Sequence, residues 1–401
     1  MRHFRQSPTD RDFVQNPYPF YNRAREGGAD LFLWEDYGIV CAVSHRAVSA
    51  LLRDRRLGRE APPEHAPEIP AHLRPFYDIE AHSMLELEPP RHTRLRGLVL
   101  RAFTSRRIAA LEGEIAALCD ELIDRLPEGP FDLLDAYGRV IPVVVIARLL
   151  GVPEERAPDL LAWSNAMVAM YQARRTRAVE EAAVAATLAF RSFVEDTIRE
   201  RRGRPGDDLL SALIAAEEEG QRLSTDEMVA TVILLLNAGH EATVHSFGNG
   251  AKALIEAGVT AVTEEAVEEA LRLDPPLHLF TRWVYEPCEL WGHRFARGDR
   301  VGLLLGAAGR DPAAYPDPGR FDPGRFAPGG GAPAHPAFGA GIHFCVGAPL
   351  ARLELLVGLR RLWQRRPGLR IAERPVYADL FHFHGLERLV VAASGPPELP
   401  G

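Results

Sequence analysis

Cysteine is sparse in this 401-residue chain: Cys41, Cys119, Cys288 and Cys345 are scattered over its whole length. No pair has CxxC spacing, which argues against a zinc ribbon or a thioredoxin-type redox site, and nothing resembles a disulfide framework. That usage fits a reducing compartment. An excess of positive charge is also missing. The formal net charge is −8, and a nucleic-acid footprint would need a clustered basic surface. Long apolar runs are absent as well. The longest, around 141–151 and 229–236, are too short to span a bilayer and read as buried core. The opening MRHFRQSPTDRDFVQNPYPF has neither an apolar h-region nor a cleavage pattern. A soluble, cytoplasmic protein is expected, with no nucleic-acid or membrane partner.

What is present is helix. From Thr104 to Glu269 prolines are few, and apolar residues recur at i, i+3, i+4. LEGEIAALCDELIDRL and VEEAAVAATLAFRSFVEDTIRERR are amphipathic. DEMVATVILLLNAGHEATVHSF is apolar nearly all round, which places it inside the molecule. From Asp274 onward the texture changes. Short β-like runs (TRWVYE, RLVVAA) alternate with the long coil DPAAYPDPGRFDPGRFAPGGGAPAHPAF, and so long a loop in a compact unit implies a function. No repeat or linker divides the chain. Residues 1–401 read as one mainly α unit, helix-rich over about 90–275 and β-rich over 276–401, with strands added from the N-terminus.

The coil ends in Phe338-Gly339-Ala340-Gly341-Ile342-His343-Phe344-Cys345-Val346-Gly347, followed by the helical pattern APLARLELLVGLRRL. Cys345 thus precedes a helix start, where free N–H groups and the dipole favour a thiolate. Glycines there let a flat ligand approach the backbone. Three readings are open: a buried structural cysteine, a dinucleotide loop, or a metal thiolate. The dinucleotide loop lacks the third glycine of GxGxxG. The pattern Phe-x-x-Gly-x-His-x-Cys-x-Gly favours the metal thiolate, as haem-thiolate sites require.

On these residues the chain resembles the cytochrome P450 family, and further motifs follow in family order. Ala238-Gly239-His240-Glu241-Ala242-Thr243 resembles its oxygen-binding helix, and Glu269-Ala270-Leu271-Arg272 its ExxR motif. Phe321-Asp322-Pro323-Gly324-Arg325-Phe326 resembles the segment that pairs with ExxR, and His92-Thr93-Arg94-Leu95-Arg96 a helix touching the haem. The resemblance implies a triangular helical prism around a buried haem b, held by Cys345 in a loop with Phe338 and Gly347. It implies a monooxygenase that takes dioxygen as co-substrate, with His92, Arg96, Arg282 and His343 on the haem propionates. It also implies a substrate pocket from Met84, Leu85, Leu235, Ala238, Leu277, Leu279, Phe280 and Phe381. Two other classes stay open: a peroxide-driven haem enzyme and a haem-binding sensor without turnover.

Physical chemistry sharpens some of these expectations. Glu269 and Arg272 share a helix face at i, i+3, and Arg325 is the implied third member of a buried network. His92 and Arg96 are at i, i+4, so both can face one anion. Gly239 in a buried helix is costly, so it is expected to make room for dioxygen. Glu241 is a carboxylate on an apolar helix, read as a proton relay or as a salt bridge to a neighbouring helix. The family's usual threonine after this acid is Ala242 here. Thr243, one residue on, is turned about 100° around the helix, so a water or a substrate hydroxyl is expected to replace the alcohol. The link from this helix to ExxR is short and expected to be truncated at the surface. No flavin or nicotinamide fingerprint occurs, so a ferredoxin or flavodoxin-type partner must bring electrons. Arg101, Arg106, Arg107, Arg352, Arg360 and Arg361 are candidates to dock it. A monomer is expected.

Overall fold

A computed structural model describes residues 1–172, 175–216, 220 and 222–393. The helices that position the site are α1 (Arg91–Ala102), α2 (Glu112–Asp124), α3 (Val140–Leu150), α4 (Ala157–Val168), α5 (Arg177–Gly203), α6 (Thr225–Glu256), α7 (Glu264–Leu273) and α8 (Ala348–Arg365). The strands used below are β1 (Arg2–Phe4), β2 (Leu31–Trp34), β3 (Ile39–Ala42), β4 (Leu57–Gly58), β5 (Leu279–Val284), β6 (Arg300–Leu304), β7 (Val376–Tyr377) and β8 (Leu386–Arg388).

The apolar pattern of α6 has the expected outcome. Its 32 residues extend about 48 Å at 1.5 Å each. A capping box starts it: the Glu227 N–H donates to Ser224 Oγ at 3.2 Å, and the Ser224 N–H donates to Glu227 Oε2 at 2.9 Å. The helix packs against α3, α4, α5, α7 and α8. Burial is nonetheless uneven along it. Leu234, Ala238, Glu241 and Ala242 keep accessible surface midway. These positions, at i, i+4, i+7 and i+8, share one face, and the exposed one among them is the Ala238 methyl. Exposure halfway along a core helix marks an internal hollow.

The N-terminus and the β-rich part make one sheet, in the order β1-β2-β3-β6-β5-β4. Within β5 the two-residue period separates two environments. Leu279 points into an aromatic core with Phe13, Phe20, Trp34 and Phe381. Phe280 and Arg282 point the other way, with the Arg282 guanidinium 5.8 Å from the Phe280 ring centre. Tyr18 and Tyr377 fasten the chain's two ends to the segment after α7: their hydroxyls donate to Asp274 Oδ1 and Oδ2 at 2.6 and 2.5 Å. The link from α6 to α7 spans only 257–263 and lies largely at the surface, as the short spacing implied.

One core group conflicts with its surroundings. Glu354 of α8 is 2% exposed, and neither carboxyl oxygen has a partner among the described residues. Burial pushes its pKa well above the ordinary 4.5, so the folded chain holds it neutral. The unfolded acid ionises above about pH 4.5, so this group makes stability fall as pH rises from there towards its elevated folded value. Glu354→Gln keeps the size and removes the ionisation. Melting temperature followed against pH is expected to rise at neutral pH in that variant and to show a flatter alkaline slope.

Candidate active site

The sulfur of Cys345 sits where the sequence places it, three residues before α8 begins. Its own N–H donates to Phe338 O at 3.0 Å, which closes the loop. The sulfur accepts backbone hydrogen bonds from Gly347 and Ala348 at the helix start. Even so, the thiol lies above its ordinary value. Burial outweighs the two amides and the charges of Arg96 and Arg352. A helix start alone therefore does not make this thiol a thiolate; a cation at the sulfur would complete the task. The side chain also keeps accessible surface despite being deep enough for burial to raise its pKa. Both hold for a sulfur at the wall of an internal hollow. Cys41 and Cys119 are buried, and Cys288 is half-buried. Burial pushes the Cys119 thiol to about 11, and all three read as structural.

A basic cluster surrounds this loop. Arg282 is 4% exposed and donates to its neighbour Thr281 O at 3.0 Å. Burial, then repulsion from Arg59, lowers it to about 10. The His92 ring lies 4.4 Å from the His343 ring, and its buried Nδ1 has no partner among the described residues. Burial, His343 and Arg96 together lower His92 to about 4. Arg96 donates to Phe344 O at 2.6 Å. A buried guanidinium with no carboxylate in direct contact among the described residues is costly, although the fields of Glu88 and Glu86 reach Arg282. His343 differs from the other three: its Nε2 lies 2.8 Å from Glu88 Oε1. Burial opposes ionisation of Glu88, but His343 and the Arg59 N–H hold it below the usual carboxylate range. Neither Glu88 nor Arg59 lies in a motif, so no spacing signal singles them out. Arg59 pairs with Glu86 and stands 5.3 Å over the Phe280 ring.

On α6, Glu241 pairs with two histidines of its own helix, and among the described residues it has no ion pair to a neighbouring helix. His245 Nε2 is 3.2 Å from Oε1, and His240 Nε2 is 3.4 Å from Oε2. Burial favours the neutral acid, but the two histidines outweigh it and hold the carboxyl well below its usual range. Thr243 is buried, and its hydroxyl donates to Gly239 O at 3.2 Å. The helix runs through this point without a break, so Thr243 does not take the place of an alcohol at Ala242.

Several expectations need correction. A Cβ on Gly239 would meet Ile146 of α3 at 3.3 Å, so this glycine serves helix packing. The room on the open face comes from the small side chain of Ala238. Leu279 and Phe381 belong to the aromatic core, with Phe381 4.9 Å from Phe13 and 5.5 Å from Trp34. They are not placed to line a pocket shared with Phe280. Met84 and Leu235 are buried in the main core, while Leu85, Leu277 and Phe280 are half-buried. Among the proposed docking arginines, Arg107, Arg352 and Arg361 face Asp207, Glu268 and Asp120, and Arg360 donates to Val262 O. These partners reduce the positive field that a basic docking surface needs.

Glu269, Arg272 and Arg325 lie together in the structure. Arg272 donates to both Glu269 oxygens, at 2.6 and 2.7 Å. Arg325 Nε lies 3.4 Å from the same carboxylate. Arg272 also donates to Gly309 O and Pro318 O at 2.7 and 2.9 Å, clamping the long coil to α7.

The fold and the residues around Cys345 suit a buried haem, and comparison with known proteins identifies the family. The family model described as Cytochrome P450 matches residues 261–365. The chain is 37% identical to the cytochrome P450 monooxygenase PikC of Streptomyces venezuelae, over 91% of this chain and 87% of that protein. It is 37% identical to the vitamin D(3) 25-hydroxylase of Pseudonocardia autotrophica, over 94% of each chain. The crystal structure of P450BioI, in complex with acyl carrier protein carrying hexadec-9Z-enoic acid, superposes with a TM-score of 0.89. That match has 29% identity and covers 97% of this chain and 100% of that one. The chain belongs to the cytochrome P450 family, as a monooxygenase that uses haem b and dioxygen. Its residues fit that cofactor: a cysteine opening into the interior, a buried arginine beside a histidine whose Nδ1 has no partner among the described residues, and an open stripe on α6. Among the described residues no helix is long and apolar enough to cross a membrane.

Proposed function

We propose that Cys345 Sγ holds the haem iron and that the enzyme inserts one oxygen atom into an apolar organic substrate, with electrons from a separate ferredoxin or flavodoxin-type protein. The observation that carries this reading is the Cys345 sulfur, open to the interior while accepting the Gly347 and Ala348 N–H groups. Bound there, haem supplies the activation of dioxygen, and the thiolate pushes electron density that favours O–O cleavage. Arg282 and Arg96 would supply the positive charge that the propionates need, His92 would hydrogen-bond to them as a neutral ring, and His343 would join them while tethered to Glu88. Phe338 and Gly347 wall the loop. Leu85, Leu277 and Phe280 present apolar surface to the substrate and exclude water. Glu241, ionised at rest beside its two histidines, takes up a proton at its carboxylate and passes it inward from a face that Ala242 leaves without a hydroxyl. The resemblance to a vitamin D(3) 25-hydroxylase supports a bulky, largely apolar substrate.

Reconstitution with a ferredoxin and its reductase under isotopically labelled dioxygen tests the reading. A ligand chosen for its ability to shift the iron spin state is expected to acquire one labelled oxygen atom per product. Full activity with hydrogen peroxide and no reductant would instead make this a peroxide-driven enzyme, and no turnover with any spin-shifting ligand would make it a sensor. In the same assay Ala242→Thr is expected to lower the share of reducing equivalents lost as peroxide. An unchanged share with every productive substrate would remove the role given to the missing alcohol.

A further inference from the structure

We propose that His245 is the relay through which protons reach Glu241. It acts through the acid and does not itself touch haem or substrate. The proposal rests on the reading of Glu241 as the proton-delivering group, and the experiment below separates failure of the two.

The first support is geometry. His245 lies at i+4 from Glu241, one turn along the same helix face, and its Nε2 is 3.2 Å from Oε1. A carboxylate accepts only, so Nε2 carries the proton and Nδ1 the free lone pair. Nδ1 is buried, with no partner among the described residues. A ring with the acid on its near side and an unpartnered, buried lone pair on its far side can carry a proton on either nitrogen.

The second support is that the surroundings are shaped to this ring. The Gly385 backbone lies over it, and any Cβ at Gly385 would overlap Nδ1. The Phe383 ring leans against it from the same turn, 6.2 Å away. Only glycine at 385 lets that turn and a histidine at 245 coexist.

The third support is that nearby alternatives are already committed. Ser246 Oγ donates to Ala242 O at 2.8 Å and Thr243 Oγ1 to Gly239 O at 3.2 Å, so neither hydroxyl is free to serve Glu241. His240 also reaches Glu241, but its ring is shared among Leu236 O, Ser164 and Asn165. The other titratable groups around His245 are His384, in the turn that covers it, and Lys252 further along α6. Burial, opposed by the Asp274 charge and aided by Arg310, His245 and Lys252, lowers His384 to about 4. His384 is therefore neutral at working pH and adds no competing charge.

The step balances as a proton transfer alone. A proton taken up at Nδ1 gives an imidazolium. The Nε2–H bond then breaks as an O–H bond forms at Glu241 Oε1, and the ring returns to neutral as the other tautomer. Later exchange with solvent restores the starting form. No electron moves.

The test uses the holoenzyme with its electron-supplying proteins. Glu241→Gln is expected to slow turnover about 100-fold and His245→Asn about tenfold. In His245→Asn the solvent deuterium isotope effect should grow, and the peroxide share should rise. The substrate-induced spin shift should stay as in the parent. His245→Gln, which keeps more of the ring's volume, should show the same isotope effect if the first variant folds poorly. Nitrogen NMR of the diamagnetic reduced CO complex should show His245 with Nε2 protonated and Nδ1 bare. Impaired Glu241→Gln beside both His245 variants with parental turnover and isotope effect would overturn the relay and leave Glu241 in its role. Parental turnover in Glu241→Gln would remove the reading beneath it. A protonated Nδ1 in the resting enzyme would also contradict the proposal.

Discussion

Arg272→Ala is expected to yield no folded haem protein. The Arg272 and Glu269 side chains are both 0% exposed and joined by two hydrogen bonds. Removing the guanidinium leaves the Glu269 carboxylate buried with only the Asp322 N–H at 2.8 Å and the more distant Arg325 Nε. Breaking a buried pair in this way costs about 3–5 kcal/mol, a large part of a typical domain's 5–15 kcal/mol or so. The Gly309 and Pro318 carbonyls lose their donor as well, and the Tyr315 ring loses the guanidinium 5.1 Å above it. The coil that leads to Cys345 is thereby released from α7. Arg272→Lys should fail almost as badly, because an ammonium cannot reproduce the two-pronged contact. Soluble yield, haem content and melting temperature measure this, and a parental melting temperature for Arg272→Ala would contradict it.

Cys345→Ser is expected to abolish product formation while leaving the polypeptide folded. Serine nearly keeps the size of the side chain and can accept the same Gly347 and Ala348 N–H groups. The loop bond from residue 345 N–H to Phe338 O at 3.0 Å is a backbone bond and survives. A neutral hydroxyl supplies neither the charge nor the electron density of a thiolate. The expected pattern is a near-parental melting temperature without haem, reduced haem retention, and no product above background in the reconstituted assay. Activity retained in Cys345→Ser would mean that the ligand is another residue.

The parts of this site that could be read from the sequence are those set by local spacing. Glu269 and Arg272 are three residues apart on one helix, and Cys345 stands at a fixed offset from its own loop and helix. His92 and Arg96 share a helix face. In each case the chain's own geometry brings the groups together. The parts that could not be read depend on which distant element lies opposite. A missing side chain at Gly239 signals a close approach, yet only the fold shows that Ile146 makes it. The two-residue period of β5 separates Leu279 from Phe280 but does not say which face meets the aromatic core. Glu88, Arg59 and Gly385 come from segments without a motif and acquire their roles through packing alone.

The central claim is that Cys345 binds the haem iron as a thiolate, and the absorption spectrum of the reduced CO complex tests it most directly. A strongly red-shifted Soret band in the parent, lost in Cys345→His although haem is still bound, is the result predicted. An unshifted band in the parent, or a red-shifted band that persists in Cys345→His, would contradict it.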